Sequence, residues 1–448
     1  MGVFFPLRLI KMNKYVNGGG TPSGRLLSFM RAFYVVLIYI TCISTYGTAY
    51  TKLKAASVLF ILFAFFDFCV IFRKENADLA ISAGKRYLIY ITFLAGMSYA
   101  LYTVKMADIS VIKRGTEKLF FQMLSILLAV SAMYMFGKEA AVLTYKAFAL
   151  FNFTAMVLSF WQNKSTIVRD TAYFINSGGE AVGFYRTLEL SETTFAFGLL
   201  LIYFIADGFR KNLKRISVCM FFFLIGYKRI GMFGAILSAV FCFLFRKTNG
   251  KRLRAAGRIC CIIFIIVAIL FVASIRSGIF VRIMNETGTD MMGRQNLYSY
   301  MEQFYKISPF YIGHGYESVT MLLKGAGDIK IGDTLVSRMT ALHNDYLTMY
   351  IEMGSAGFVL WLSYFLIYLE RYFEKYSDGT YMVYIMCTIY LFTTYLTDNT
   401  SKYYLAQALY RMLPLCIAAG KEEQDAGKND HQDSRRCGDR DGGTRSSV

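Results

Sequence analysis

The chain has 448 residues, of which 56% are hydrophobic, 17% aromatic and only 18% charged. Soluble domains carry about a quarter charged residues; here the charges gather between apolar runs of about 20 residues, the length of a membrane-spanning helix. The net charge of +19 sits in loops that flank those runs, where Lys and Arg set orientation and meet anionic lipid headgroups, so membrane lipids are expected partners and nucleic acid is not.

Residues 1–29 contain Lys11 and Lys14 without a signal-peptide core or cleavage site, which predicts a cytoplasmic N-terminal tail. Spans are expected at about 30–49, 57–72, 87–104, 119–136, 141–161, 190–208, 212–227, 230–245 and 259–275. After a long connection, 276–345, come three more, at 346–368, 380–397 and 403–419. Alternating barrel-strand segments are absent, so helices must satisfy the backbone in lipid. The fold class is therefore all-α: a polytopic integral membrane protein of about twelve transmembrane helices, nine of them within 30–275 and three within 346–419. Residues 420–448 are too polar to bury a core and are expected to be a disordered cytoplasmic tail. Eight of the nine cysteines lie inside apolar runs and Cys437 in the tail, which points to buried thiols rather than disulfides or zinc.

The stretch 212–245 reads either as one long helix or as a hairpin. Charge parity favours the hairpin: two spans put "RKNLKR" (210–215) and "RKTNGKRLRAAGR" (246–258) on one side with "RKENADLAISAGKR" (73–86) and the N-terminus. Lys228 and Arg229 then occupy an outer turn, both termini are cytoplasmic, and 276–345 is extracytoplasmic. Within that connection "GRQNLYSYMEQFYK" (293–306) predicts an amphipathic helix with Leu297, Tyr300, Met301 and Phe304 on one face. "SPFYIGHGY" (308–316) predicts a turn-rich segment. A folded cap on the outer surface is expected.

No phosphate-cradling loop, GxSxG elbow, HExxH site or dinucleotide fingerprint is present. The outer side instead collects cations and one histidine: Arg186 and Glu189 before the sixth span, Lys228 and Arg229 in the hairpin, Arg294 opening the loop helix, Arg338 closing the loop, then His343, Asn344 and Asp345. Each has a plainer alternative. Lys228 and Arg229 could snorkel to headgroups, Arg294 could be a solvated charge, and His343 could merely start its helix with Asn344 or Asp345 as cap. A cation in so short a turn stays near the apolar zone, however, where burial costs on the order of 3 kcal/mol and favours a partner or an aqueous cavity.

Taken together, "YKRIGMFGAILSAV", "MGRQNLYS", "SPFYIGHGY" and "LHNDYLTMYIEMGSAGFVLW" resemble the O-antigen ligase and Wzy-type polysaccharide polymerase superfamily over roughly residues 185–370. The turn is matched by Ser308, Pro309, Gly313 and Gly315, and the His-Asn segment by His343, Asn344, Leu347, Gly354 and Gly357. One departure is Lys228-Arg229 followed by Ile230, where Ser-Arg-Ser or similar is commoner, which leaves open which cation acts.

The resemblance implies a GT-C-like membrane glycosyltransferase with a large extracytoplasmic loop over its active site. It implies transfer of a glycan from an undecaprenyl-diphosphate-linked oligosaccharide to an acceptor hydroxyl, without a nucleotide sugar. The scattered carboxylates of the outer loop, Glu286, Asp290, Glu302, Glu317, Asp328 and Asp333, separately predict that no metal or other cofactor takes part. A breaking anomeric C–O bond loads charge onto the diphosphate, a task for Arg294, Arg229, Lys228, Arg186 and Arg338. The acceptor hydroxyl needs a base, which His343 can supply, with Asn344, Asp345 and Glu189 in support. A polymerase is expected over a ligase, because a ligase also needs a lipid A–core acceptor. A flippase or other transporter is a further alternative, but repeated halves, often seen in transporters, are not visible. A chain-length regulator and a flippase are expected as protein partners.

Overall fold

The computed structural model describes residues 22–45, 48–71, 74–162, 164–165, 168–169, 191–288, 294–327, 330–331, 334–336 and 341–420. Arg186, Glu189 and Arg338, residues 1–21 and residues 421–448 lie outside the described residues, and residues 22–29 of the expected N-terminal tail belong instead to the first helix.

The described chain consists of helices, the turns and irregular connections between them, and a two-residue antiparallel pair, Lys330–Ile331 with Thr334–Leu335. The long helices are α1 (Pro22–Ile43), α2 (Ala56–Val70), α3 (Lys74–Val104), α4 (Ile109–Phe136), α5 (Glu139–Gln162), α6 (Ser191–Gly208), α7 (Leu213–Ile225), α8 (Arg229–Phe245) and α9 (Gly250–Arg276). Three short helices follow: α10 (Ile279–Glu286), α11 (Arg294–Met301) and α12 (Ser318–Lys324). The last are α13, which starts as Asp345–Ser363 and runs on through a π turn, Tyr364–Tyr368, to Leu369–Phe373, then α14 (Asp378–Thr394) and α15 (404–420). Each expected span thus falls on a helix. Among the described residues seven helices are long and apolar enough to cross a membrane, and the apolar α8 is shorter.

Sequence explains where several of these helices start. Asp108 caps α4 by accepting from the Ser110 amide, Asn249 caps α9 through the Arg252 amide, and Ser377 caps α14 through the Thr380 amide. Burial is inverted relative to a soluble helix. In α2, Ser57 and Asp67 are buried while Leu59, Leu62, Phe65 and Phe66 are exposed, and Tyr134 donates to the Asp67 carboxylate at 3.1 Å. Such a surface suits lipid. Packing between helices then rests on close approach rather than on water exclusion. The buried alanines Ala77, Ala80 and Ala83 of α3 and Ala129 and Ala132 of α4 supply it.

Contacts fix the direction of each helix in the hairpin. Gly226 abuts Thr194 at the start of α6, whereas Asn212 bonds to Phe204 and Asp207 near its end, so α7 runs antiparallel to α6. Gly231 lies against Phe195, and both Gly234 and Gly198 lie against Tyr390, so α8 runs parallel to α6. The chain reverses at Tyr227, which adopts a left-handed φ of 44°. The stretch 212–245 is a hairpin whose two arms pack more on α6 than on each other.

One end of the bundle holds Arg31–Glu139, Lys138–Asp207 and Arg254–Asp378 together with the basic stretches 210–215 and 246–258. This is the basic end. The opposite, loop end holds the α7–α8 turn, the start of α6, the chain between α9 and α13, and the α14–α15 turn.

Candidate active site

The expected span at 346–368 is not one straight helix. Gly354 has φ 69° and ψ −177°, and aromatic rings meet across it: Tyr346 with Trp361 at 6.1 Å and Tyr350 with Phe358 at 5.6 Å. In a straight helix Tyr346 and Trp361 would be separated by roughly 22 Å. The helix therefore folds back at Gly354, and a short first arm, 345–353, packs antiparallel to the start of the second, 355–373. The sequence could be read as a single apolar run because both arms are apolar and only glycine marks the reversal.

A reversal inside a bundle frees backbone groups that need partners. The Ser308–Gly315 turn provides them. The amides of His314 and Gly315 donate to the carbonyls of Ile351 and Glu352 at 3.2 and 2.7 Å, and the Ser355 amide donates to the Tyr311 carbonyl at 3.0 Å. Tyr311 adds a hydroxyl bond to Ile351 at 3.1 Å, and Tyr350 donates to the Lys306 carbonyl at 3.0 Å. The approach leaves no room for a side chain, since a Cβ on Gly313 would collide with the Glu352 carbonyl and the Gly354 amide. The two glycine motifs of the sequence thus meet as one backbone junction. The turn is a wedge whose Tyr311, Gly313 and Gly315 are buried against the reversal while Pro309, Phe310 and Ile312 stay exposed.

The first arm is stapled from the side as well. Its cap is Asn344, whose side chain accepts from the Leu347 amide at 2.9 Å. Asp345, fully buried, accepts from the Ser401 amide at 2.8 Å and the Ser401 hydroxyl at 2.5 Å. Lys402 Nζ lies 3.1 Å from Glu352 and 2.8 Å from Glu317, and Arg114 reaches the other Glu317 oxygen at 3.2 Å. Tyr102 donates to the Tyr316 carbonyl, and the Tyr316 ring stands 5.2 Å from the Lys402 ammonium. Burial by itself would raise the Glu317 carboxyl, but the Lys402, Lys118 and Arg114 charges pull it down to about 2. Burial works against the Lys402 ammonium, yet Glu317 and Glu352 hold its pKa above the ordinary value.

His343 is exposed and adopts a left-handed φ of 52°, a conformation that is uncommon outside glycine and concentrates at functional positions. It stands one residue before the cap, so the capping role belongs to Asn344. Burial raises the Tyr298 hydroxyl of α11, which lies near the Asn344 side chain and feels the charge of Arg294, one turn earlier. Leu297 and Met301 of α11 are buried, with Tyr300 and Phe304 half-buried, as the amphipathic pattern requires. Arg229 is exposed at the first turn of α8, and Lys228 is half-buried before it. The start of α8 connects through Gly231 against Phe195, and the Phe195–Tyr403 ring pair at 5.8 Å, to the α14–α15 turn that staples the arm. His314 lies in the wedge, where burial lowers its pKa despite a bond to the Phe304 carbonyl at 2.9 Å.

Sequence reasoning missed Arg114, Glu317, Glu352 and Lys402. Glu352 carried a usable signal, since a carboxylate inside an apolar span calls for a partner. Lys402 carried none, being an ordinary turn residue until the fold brings it 50 positions back to Glu352. Among the described residues no three His, Cys, Asp or Glu side chains form a group that could hold a metal ion.

No curated protein matches the chain. Residues 215–362, from α7 through the wedge and both sides of the reversal at Gly354, match the family model described as O-antigen ligase, so the chain carries a domain of the O-antigen ligase/Wzy superfamily.

Proposed function

We propose that this protein is a polymerase of lipid-linked oligosaccharide repeat units, acting at the outer face of the cytoplasmic membrane on a glycan held by undecaprenyl diphosphate. The family match supports ligase- or polymerase-type transfer in general. The positive-inside rule supports assigning the basic end to the cytoplasm, with both termini there and the loop end outside. The observation that carries the site is local: an exposed imidazole in left-handed backbone stands beside the buried cap Asn344, and Tyr298, one turn from Arg294, lies near that cap.

In this reading His343 takes the proton of an acceptor hydroxyl as its oxygen attacks the anomeric carbon. The C–O bond to the diphosphate breaks, and undecaprenyl diphosphate leaves with the electron pair. Arg294 and Arg229 stabilise the charge it gathers, with Lys228, Arg186 and Arg338 as further diphosphate contacts and Glu189 in support. Arg suits this better than Lys because its planar fork grips two oxygens at once. No metal is required, and polymerisation is expected to continue in excess EDTA; loss of activity restored by Mg²⁺ or Mn²⁺ would show the wrong stabiliser has been named.

The test is His343→Asn, assayed for glycan chain length at matched membrane expression. Asn tolerates left-handed backbone, so the variant keeps the local fold and removes only the base, with an expected loss of about 10²–10⁴-fold. Near-normal polymer would reject the catalytic role. The matching family's description favours a second reading, ligation of the glycan to lipid A–core. Cells lacking the protein distinguish the two: unpolymerised single repeats support the polymerase, and polymer unattached to core supports the ligase. A failure to export repeats would point instead to a flippase.

A further inference from the structure

Asp345 and Glu352 stand seven positions apart on the first arm of α13, which places them on one face of a helix. Two adjacent residues hold both. Ser401 bonds to Asp345 through its amide and hydroxyl at 2.8 and 2.5 Å, and Lys402 pairs with Glu352 at 3.1 Å. The pair is itself immobilised: Gln122 of α4 donates to the Ser401 carbonyl at 2.8 Å, Gln407 of α15 donates to the Thr400 carbonyl at 3.0 Å, and the Thr394 and Thr400 hydroxyls meet at 2.6 Å. Lys402 also reaches across to Glu317, just after the wedge, at 2.8 Å. One ammonium therefore joins three separate pieces of chain: the loop, the first arm and the α14–α15 turn.

We propose that Ser401 and Lys402 are positioning residues: a two-point clamp on the first arm of α13 that sets the height and rotation of His343 for transfer. This rests on His343 being the acceptor's base. Neither clamp residue touches substrate. Their work is to register the arm against the loop that carries Arg294, and a base misplaced by about 1 Å can lose on the order of 100-fold in rate.

Removing Lys402 alone would strand buried carboxylates, so the informative variant is Lys402→Met with Glu352→Gln, which removes the ionic point of the clamp as a neutral pair, keeps the Ser401 point and leaves Glu317 to Arg114. In purified full-length protein, turnover of lipid-linked repeats should fall roughly 30- to 100-fold, with the donor KM within about threefold of wild type. Lys402→Arg, which keeps the charge, should recover at least about a tenth of the wild-type rate. Ser401→Ala, which loses only the hydroxyl bond, should lower kcat by roughly 3- to 10-fold without moving KM. A folded double variant with wild-type kcat would overturn the clamp. If the double variant is not recovered in membranes, the Ser401→Ala result decides, and an unchanged kcat there would overturn it equally. The underlying reading fails separately: active His343→Asn would remove the base, whereas inactive His343→Asn with a fully active clamp variant would remove only the clamp.

Discussion

Two open pairs at the basic end and one buried network at the loop end use the same ion-pair chemistry in opposite ways. Arg31–Glu139 is 38% and 39% exposed, and Arg258–Glu374 is 56% and 26% exposed. At the loop end Lys402, Glu317 and Glu352 are 16%, 2% and 0% exposed. An exposed pair contributes about 0–1 kcal/mol because water and salt screen it. A buried pair has surrendered its hydration and holds only if every partner is in place. The two open pairs can therefore tolerate change, whereas the Lys402 network is committed to one arrangement.

The sharpest break in that contrast should come from the junction itself. Gly313→Ala drives a methyl into the Glu352 carbonyl and should destabilise by more than about 4 kcal/mol, read as loss of monodisperse protein in detergent. Gly96→Ala in α3, where nothing lies within 4 Å of the new methyl, is the control and should be neutral or stabilising. Next comes Glu317→Gln, which leaves Arg114 and Lys402 with Glu352 alone and should cost on the order of 3 kcal/mol in thermal unfolding. That variant also tests the acid response. Because the Glu317 pKa falls from 4.5 to about 2 on folding, its stabilisation is complete above 4.5 and is lost as pH drops towards 2. Wild type should weaken across that window and Glu317→Gln should lose that part of the slope; equal slopes would deny the buried network its role. The smallest effect belongs to Glu139→Gln, at under about 1 kcal/mol and vanishing in high salt. A large, salt-independent loss there would erase the distinction between the two ends.

These differences mark what the sequence could convey. Hydropathy located the helices because apolar length is a local property. Charge parity located the α7–α8 hairpin because Lys and Arg report sidedness over a few residues. The reversal at Gly354 was hidden, since apolar residues on both sides satisfy either a straight helix or a folded one. The match between Gly313 and Gly354 is a meeting of two backbones, and neither glycine names the other. Of the candidate residues, Asn344 takes the cap, and Arg294 stands one turn before Tyr298, which lies near that cap. Asp345 was foreseen as support but not as the buried anchor of an arm, because its partner Ser401 lies 56 positions away.

The clamp and wedge also have a consequence for timing. The first arm is emitted long before Lys402, and Arg114 lies 203 positions before Glu317. Bringing such distant groups together costs loop-closure entropy that no local contact offsets. The arm should therefore gain its final shape only once the α14–α15 turn has been made and inserted. A chain stalled before that turn would carry His343 without a fixed place for it, so on the proposed reading it would not yet be competent for transfer.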